Sequence, residues 1–292
     1  MIDPLRNLQD YGSVGQIRQF CDTADSNRGG SYLYFPCVLC VFEVNSSRRD
    51  NHGTIMIDND LHHRIAANVQ EVRQRMDQAA VRSGRASSAV RLIAVSKYAN
   101  LGDGVVEALL AAGCGELGEA RPQRLLEKAE FYAKTPVRWH LIGTLQRNKV
   151  RKILPITALI HSLDSLRLAE AMDRIAGEEQ LPPVHCLLEV TLSQDAEKHG
   201  IEPEKVLEVL DAIGTCQNIV VEGLMGMAGL ESDESQTHRE FEMLRKTAEM
   251  AQNRGLPPNI SLTELSMGMS GDFEIAIEEG ATIVRIGSIL YQ

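Results

Sequence analysis

The sequence is poor in basic residues and in long apolar runs, and each shortage excludes a class of protein. Lys and Arg number 30 against 40 for Asp and Glu, so the net charge is −10, whereas a nucleic-acid binder needs a basic surface. The longest apolar candidate, residues 32–44, contains Pro36 and is shorter than the roughly 20 residues that span a bilayer. We therefore expect neither a nucleic-acid partner nor a membrane anchor.

Cysteine is also scarce, because 6 residues in 292 are too few for a disulfide scaffold. Cys37 and Cys40 form a lone CxxC pair without the second pair, or the His pair, that a zinc site requires. We predict no metal site and a reducing, cytoplasmic location. Hydrophobic residues at 43% and charged residues at 24% are typical of an ordinary globular protein.

The first 55 residues differ from the rest of the chain. They hold three of the six Cys, three of the six Tyr and three of the six Phe, but no Lys, and they show no clean periodicity. Asp58 then stands as a helix N-cap before an apolar stripe of helical spacing. The stripe consists of Leu61, Ile65, Asn68, Val69, Val72 and Met76. We predict that residues 1–55 are a poorly ordered, dispensable extension and that this helix opens a domain of residues 56–292.

Beyond that helix, short β-branched runs alternate with helical stretches, as in repeated βα units. The eight predicted strands cover residues 91–97, 116–119, 138–143, 159–164, 184–192, 219–226, 262–268 and 282–287. The predicted helices between them cover residues 103–112, 122–133, 147–154, 165–176, 203–213, 234–253 and 272–279. This repeat predicts an α/β protein with a (β/α)8 TIM barrel. A doubly wound sheet is the rival, but the first strand is not followed by a GxGxxG turn.

Lys97 closes the first predicted strand. Working residues of such barrels lie at the C-terminal ends of the strands. In the barrel mouth, desolvation would disfavour the ammonium form of Lys97 and leave a nucleophilic amine suited to a Schiff base. The alternative is a lysine that extends its amine into solvent. Position alone does not separate the two.

Glycine-bearing loops follow the seventh and eighth predicted strands, where barrels of this kind bind phosphate. Ser266, Gly268 and Ser270 lie in the first loop and lead into a helix. Gly287 lies in the second loop, two residues after Arg285. The alternative is that these glycines serve only the turns. A nucleophilic lysine together with a phosphate cradle indicates pyridoxal phosphate (PLP) as cofactor.

Arg285 and Gly287 share a face because they are two residues apart on one strand. With Gly287 at the phosphate, the Arg285 guanidinium would lie deeper, beside the pyridine nitrogen of PLP, and would keep that nitrogen unprotonated. The ring would then be a weaker electron sink, which favours holding the aldehyde over broad catalysis. The alternative is an ion pair of Arg285 with Glu189 or Glu222 inside the barrel.

Five short motifs are distinctive in combination. They are Ile93-Ala94-Val95-Ser96-Lys97; Trp139-His140-Leu141-Ile142-Gly143 with Leu145-Gln146-Arg147-Asn148-Lys149; Gly223-Leu224-Met225; Ser266-Met267-Gly268-Met269-Ser270; and Val284-Arg285-Ile286-Gly287. Together they resemble the pyridoxal-phosphate homeostasis proteins, a family similar to the isolated barrel domain of bacterial alanine racemase. The resemblance implies a cytoplasmic, monomeric PLP carrier without firm catalytic turnover, acting in vitamin B6 homeostasis and indirectly in amino-acid and keto-acid balance.

By that resemblance Lys97 carries the Schiff base and PLP-dependent apoenzymes are the recipients of the cofactor. The candidate cofactor-binding residues are Lys97, Ser266, Gly268, Ser270, Arg285, Gly287, Ser288, Met225, His140 and Asn148. From the residues alone, barrel packing remains open for Met225 and a satisfied core position for His140. For Asn148 the alternative is a solvated helix start.

The chain departs from the family pattern in three ways. Ala120 follows Gly118-Glu119 where relatives carry Asn, so we expect a polar contact to the cofactor to be missing. The last turn at Tyr291-Gln292 is shorter than in relatives, and we expect it to be less well capped. Residues 1–55 match nothing in the family, whereas Met56-Ile57-Asp58 resembles its normal start.

Two enzyme functions compete with the carrier. A low-activity amino-acid racemase of the same barrel type would need a C-terminal β domain and a Tyr from a partner subunit, for which no residues follow the eighth predicted strand. A phospho-substrate aldolase would use Lys97 without any cofactor, and the protein would then lack the near-visible absorbance of a Schiff base with PLP.

Overall fold

The computed structural model describes residues 59–193 and 200–291. Eight parallel strands close into a barrel in chain order, with the last strand pairing with the first. They are β1 Arg91–Val95, β2 Glu116–Glu119, β3 Arg138–Leu141, β4 Leu159–Leu163, β5 Val184–Glu189, β6 Ile219–Met225, β7 Ile260–Ser266 and β8 Ile283–Ile286. The predicted (β/α)8 barrel is confirmed.

The helices form the outer shell of the barrel. They are α1 Asn59–Arg82, α2 Val105–Ala111, α3 Pro122–Phe131, α4 Val150–Ile153, α5 Leu166–Glu178, α6 Val206–Ile213, α7 Glu234–Arg254 and α8 Phe273–Glu278. Their starts follow local chemistry: the Ser165 hydroxyl accepts from Leu168 N before α5, and the Asp233 carboxylate accepts from Gln236 N before α7. Pro122 occupies the first turn of α3, where its missing N–H has no cost.

Helix α1 occupies the position of the eighth outer helix. After β8 the described chain contains only the 3-10 turn Ser288–Leu290, and α1 packs between α2 and α8. Arg75 pairs with Glu274 at 2.8 Å, and Arg82 pairs with Glu278 at 2.6 Å. The barrel thus completes its ring of helices with the segment that precedes β1.

Apolar side chains fill part of the interior of the barrel. Ile93, Leu159, Leu187, Met225 and Ile283 form one buried cluster there, one residue from each of five strands. The larger apolar core lies between the strands and the helices, because successive residues of a strand point to opposite faces. Met225 therefore packs inside the barrel, which was one of the two alternatives considered for it.

Several element ends differ from the predictions. The structure ends β1 at Val95 and β7 at Ser266, each two residues before the predicted end, since the loops of the barrel mouth begin there. The predicted helix 147–154 consists of a 3-10 turn, the short helix α4 and a second 3-10 turn. The predicted extension 1–55 and the Asp58 N-cap lie outside the described residues. Of the described helices, none combines the length and the apolar content needed to cross a membrane.

Candidate functional site

Lys97 lies in the turn that follows β1. Strand β1 ends at Val95, and the Lys97 side chain is exposed, with its Nζ 5.0 Å from the centroid of the Tyr98 ring. The desolvation predicted for this amine is therefore wrong for this structure, because the chain leaves the barrel wall before Lys97. An exposed amine at the mouth is accessible to an aldehyde from solvent.

The residue before Lys97 is held by a buried ion pair. Lys128 Nζ lies 2.6 Å from Glu119 Oε2, with both side chains 1% exposed, and donates to Ser96 O at 2.5 Å. The Ser96 hydroxyl donates to Gly118 O at 3.2 Å. The other oxygen of Glu119 accepts from Ala120 N at 2.8 Å. These bonds fix the backbone from which Lys97 projects.

Sequence reasoning missed Lys128, although a signal was present. Lys128 stands three residues after Leu125, which is fully buried, so both lie on the inner face of α3. A lysine on an apolar helix face needs a buried anion, and Glu119 ends the neighbouring strand β2. The spacing indicates that a partner exists, but only the fold identifies it.

The loops after β7 and β8 meet each other at the mouth. Gly287 N donates to the Ser270 hydroxyl at 3.2 Å, and Arg285 N donates to Gly268 O at 2.9 Å. Met269 N donates to Asp272 Oδ1 at 2.6 Å, which shapes the first loop. Ser288 is exposed at the start of the last 3-10 turn. A hydroxyl and a backbone N–H thus stand side by side at the place predicted for phosphate.

Gly268 has a backbone that only glycine adopts easily. Its φ is +92°, and a Cβ there would stand 2.6 Å from Ala276 Cβ and 2.9 Å from Phe273 Cα. We expect Gly268→Ala to lower the free energy of unfolding by about 2 to 4 kcal/mol, from backbone strain plus overpacking. Urea denaturation measures the loss. Gly271→Ala is the matched control, since a Cβ at Gly271 meets nothing within 4 Å, and equal losses in the two variants would contradict the argument.

Arg285 is a buried cation without a close carboxylate. Its side chain is almost fully buried, and within the described residues no carboxylate oxygen lies within 4.0 Å of the guanidinium. Nη1 donates to Ser266 Oγ at 2.7 Å and Nη2 donates to Gly226 O at 3.1 Å. Burial lowers the pKa of Arg285 to about 10, opposed by Asp272 and then Glu189. An acceptor supplied by a ligand would compensate this buried charge.

Neither carboxylate considered as a partner of Arg285 forms the ion pair. Glu222 belongs to β6, but its side chain faces outward from the barrel. Its Oε1 lies 2.7 Å from His185 Nδ1. Glu189 ends β5 and is buried, and its carboxylate lies more than 4.0 Å from Arg285. The alternative of an internal ion pair is therefore wrong.

Ser266 has a different environment from the one predicted. Its hydroxyl is fully buried between Arg285 Nη1 at 2.7 Å and His161 Nδ1 at 2.8 Å, so it is not free to contact a phosphate. The reason is strand geometry, since Ser266 is the last residue of β7 and points inward. Ser270, four residues further along, has the loop position that the prediction gave to both serines.

His140 and Asn148 have opposite environments, because one is buried and the other is exposed. His140 is fully buried on β3, with Nδ1 3.0 Å from His161 Nε2. It has the core position considered for it, but its Nε2 has no hydrogen-bond partner among the described residues. Asn148 is exposed in the 3-10 turn Arg147–Lys149 and forms no hydrogen bond with the described residues. His161 carries no motif that marks it in the sequence, yet it faces inward from β4 beside His140.

Glu189 makes the stability of this mouth depend on pH. Burial and the nearby Asp164 raise its pKa from 4.5 to about 7, and Arg285 opposes the shift. The folded chain holds this proton more tightly than the unfolded chain, so the free energy of unfolding should fall as pH rises from about 4.5 to about 7, by on the order of 3 kcal/mol. Glu189→Gln should flatten this part of the stability profile in urea melts at several pH values. A variant with the wild-type slope would refute the assignment.

The donor set fits PLP. An accessible amine lies at the end of β1, a hydroxyl and an N–H face each other across the loops after β7 and β8, and a buried guanidinium lies below them. Gly287 brings its loop against β1, since a Cβ there would stand 3.4 Å from Val95 Cβ. These groups match an aldehyde, a phosphate and a ring nitrogen that accepts a hydrogen bond.

Comparison with known proteins identifies relatives of this chain. The family model described as alanine racemase, N-terminal domain, matches residues 62–292. The pyridoxal phosphate homeostasis protein of Pseudomonas aeruginosa is 37% identical over 229 residues, which cover 78% of this chain and 94% of that protein. The protein of the same name from Aquifex aeolicus is 35% identical over 223 residues, covering 76% and 95%.

Solved structures agree with these matches. A protein of unknown function from Bifidobacterium adolescentis has a TM-score of 0.76 and 36% identity, over 81% of this chain and 98% of that one. PipY of Synechococcus elongatus, determined with PLP bound, has a TM-score of 0.65 and 36% identity, over 76% and 100%. Alanine racemase of Clostridium difficile, at 14% identity and a TM-score of 0.61 over 77% and 56%, shares the fold alone.

A closed barrel with a lysine after β1 and glycine-bearing loops after β7 and β8 defines the class of alanine-racemase-type barrels. The chain belongs to the alanine racemase N-terminal domain family and, within it, to the pyridoxal phosphate homeostasis proteins. The family predicted from the sequence motifs is confirmed.

Proposed function

We propose that this protein binds PLP at the carboxyl ends of the barrel strands, covalently on Lys97, and acts in intracellular PLP homeostasis. The observation that carries the proposal is the convergence of three groups at one end of the barrel: the Lys97 turn, the Ser270–Gly287 contact and the buried Arg285. The family and the PLP bound in the structure of PipY support the choice of ligand.

Each group has a part that follows from its chemistry. The Ser270 hydroxyl, which accepts from Gly287 N and keeps its own proton to donate, and the Ser288 N–H would hold the phosphate. The Gly287 N–H would join them by exchanging Ser270 Oγ for a phosphate oxygen. Arg285 would donate to the ring nitrogen and orient the ring. Lys97 would supply the amine. When bound, PLP contributes an aldehyde that links to amines and a ring that withdraws electrons.

Arg285 favours a holding role over broad catalysis. A guanidinium has no hydrogen-bond acceptor and stays charged, with a pKa of about 10 here, so beside a bound PLP it would donate to the ring nitrogen and leave that nitrogen unprotonated. The ring then withdraws electrons more weakly than a ring paired with Asp. Release of PLP to PLP-dependent apoenzymes, with indirect effects on amino-acid and keto-acid balance, is the function we infer.

Ala120 bears on the strength of binding. Its methyl group offers no hydrogen bond where relatives were expected to carry an Asn amide, and its backbone N–H is already used by Glu119. We therefore propose that this chain releases PLP more readily than a chain with Asn at this position. A monomeric state and a cytoplasmic location belong to the same proposal.

The proposal is tested by adding PLP to purified protein and following the near-visible absorbance. We expect a saturable new band at a stoichiometry of about one per chain, lost on dialysis against an excess of a PLP-dependent apoenzyme that gains activity in parallel. Alanine racemization is assayed in the same samples. Racemization at rates typical of enzymes would favour the racemase function, and the absence of any band would refute PLP binding on an amine.

A further inference from the structure

A row of polar side chains crosses the buried interior of the barrel. Arg285 Nη1 lies 2.7 Å from Ser266 Oγ, Ser266 Oγ lies 2.8 Å from His161 Nδ1, and His161 Nε2 lies 3.0 Å from His140 Nδ1. His140 Nε2 faces Glu116 Oε1 at 3.7 Å. The row runs from β8 through β7, β4 and β3 to β2, and its four inner members are almost fully buried.

The Arg285 end determines the direction of the first two bonds. A guanidinium only donates, so Ser266 Oγ accepts from Arg285. The single proton of the Ser266 hydroxyl then has one described acceptor in reach, His161 Nδ1. Were His161 Nδ1 protonated instead, the Ser266 proton would be buried without an acceptor, at a cost in free energy. His161 therefore carries its proton on Nε2 and donates it to His140 Nδ1.

The Glu116 end requires the same direction. With Nδ1 of His140 accepting from His161, the His140 proton lies on Nε2, which faces the Glu116 carboxylate. The reverse arrangement would turn a bare ring nitrogen toward that anion. The pKa of Glu116 is lowered, first by His140 and then by Arg91 and Arg138, so this end of the row presents a carboxylate anion to His140.

Both histidines are neutral in this arrangement. Burial keeps the pKa of His161 well below its usual value, and the positive charge of Arg285 acts in the same sense. A proton added to His140 would lie on Nδ1, against the N–H of His161 Nε2. A proton added to His161 would lie on its Nδ1, and the Ser266 hydroxyl proton would then lose its acceptor. Neutral rings, one proton each, satisfy the three hydrogen bonds from Arg285 to His140, while His140 Nε2 faces Glu116 Oε1 at 3.7 Å, beyond hydrogen-bond distance.

We propose that His140 and His161 are positioning residues, each locked with its proton on Nε2, in a one-directional hydrogen-bond chain that orients the Arg285 guanidinium toward the cofactor. The inference rests on the proposed function for the cofactor end, while the locked protons are a property of the protein itself. Ser266 presents a lone pair to Nη1, and Gly226 O holds Nη2. The remaining N–H groups of Arg285 would then be left to donate to the cofactor.

The direct test is nitrogen NMR of ¹⁵N-histidine-labelled full chain at pH 7, before PLP is added. Variants with His140→Gln and His161→Gln assign the two rings. We expect both rings to carry the proton on Nε2 and none on Nδ1. A proton on Nδ1 of His161, or a doubly protonated ring in either residue, would overturn the proposal whether or not the protein binds PLP.

The link to the cofactor is tested by substitutions that replace one ring nitrogen at a time. In His161→Asn the amide lies near the Nδ1 position and keeps an acceptor for Ser266, whereas in His161→Gln it lies near Nε2 and removes that acceptor. We expect PLP binding, measured by absorbance titration, to weaken about tenfold in His161→Gln and Ser266→Ala, and less than about threefold in His161→Asn. The exposed His185→Gln is the control.

Melting temperature is recorded for every variant, so that loss of fold is separated from loss of orientation. Equal weakening in His161→Asn and His161→Gln, or none in either, would refute the orienting role. If the wild type binds no PLP, the proposed function fails, and the NMR result alone still decides whether the chain is locked.

Discussion

Lys97→Ala should abolish the near-visible absorbance that PLP acquires on binding this protein. An alanine has no amine, and Lys97 is the lysine at the barrel end where the Ser270–Gly287 contact and Arg285 meet. The measurement is an absorbance titration of wild type and variant with PLP. The phosphate and ring contacts remain in the variant, so weak non-covalent binding should persist and be detectable by calorimetry.

Lys152→Ala is the control for the Lys97 experiment, because Lys152 is an exposed residue of α4. The Lys152→Ala protein should develop the full near-visible absorbance band, at the same PLP concentration as wild type. A Lys97→Ala protein that develops the same band as wild type would show that another amine forms the link, and the assignment of Lys97 would be wrong.

Lys128→Met should be the most destabilising of the substitutions considered. It leaves Glu119 as a buried carboxylate without its cation and removes the donor to Ser96 O. Removing one member of a buried ion pair costs about 3 to 5 kcal/mol, because the remaining charge stays desolvated. We expect that loss in the free energy of unfolding in urea. Weaker PLP binding should accompany it, since the Ser96 carbonyl directly precedes Lys97.

Lys205→Met provides the matched comparison for Lys128→Met. Lys205 Nζ also lies 2.6 Å from a carboxylate oxygen, that of Glu202, but these side chains are 63% and 62% exposed. An exposed pair contributes little to stability, because water screens both charges. Since distance and atom types are the same, the difference between the variants measures the burial of the inner pair together with the loss of the Lys128 bonds to Ser96. Equal losses would contradict the structural importance of the inner pair.

The architecture could be predicted because it depends on local patterns. Runs such as Leu92-Ile93-Ala94-Val95 mark strands, and the regular alternation of strands with helices indicates the barrel. The last residue of a strand could not be predicted in the same way, because it depends on where the neighbouring strands stop pairing. This is why Lys97, predicted within the first strand, lies in the exposed turn after Val95.

The candidate site was predictable only in outline. The glycines of the two loops carry a backbone signal, and Gly268 does adopt a positive φ. The neighbours of Ser266 carry no such signal, since His161 and Arg285 come from strands distant in sequence. From the sequence, a serine that precedes a glycine-bearing loop is equally compatible with a donor in the loop and with an inward-facing residue at the end of the strand. The fold alone assigns it to Arg285 and His161.

The position of α1 in the ring of outer helices also could not be predicted from the sequence. Its apolar stripe predicts an amphipathic helix, and Ile65, Val69, Val72 and Met76 are indeed buried. Which surface covers that stripe depends on the gap left after β8, where the described chain forms only a 3-10 turn. The ion pair of Arg75 with Glu274 joins residues about 200 positions apart, and no local pattern contains that information.

Borohydride reduction of the wild-type protein with bound PLP, followed by peptide mapping, tests the central claim most directly. Reduction turns the link between the cofactor and its amine into a stable bond, so the modified residue can be read by mass spectrometry. We expect one pyridoxyl group per chain, on the peptide that contains Lys97. Modification of a different lysine, or no modification under conditions that saturate binding, would contradict it.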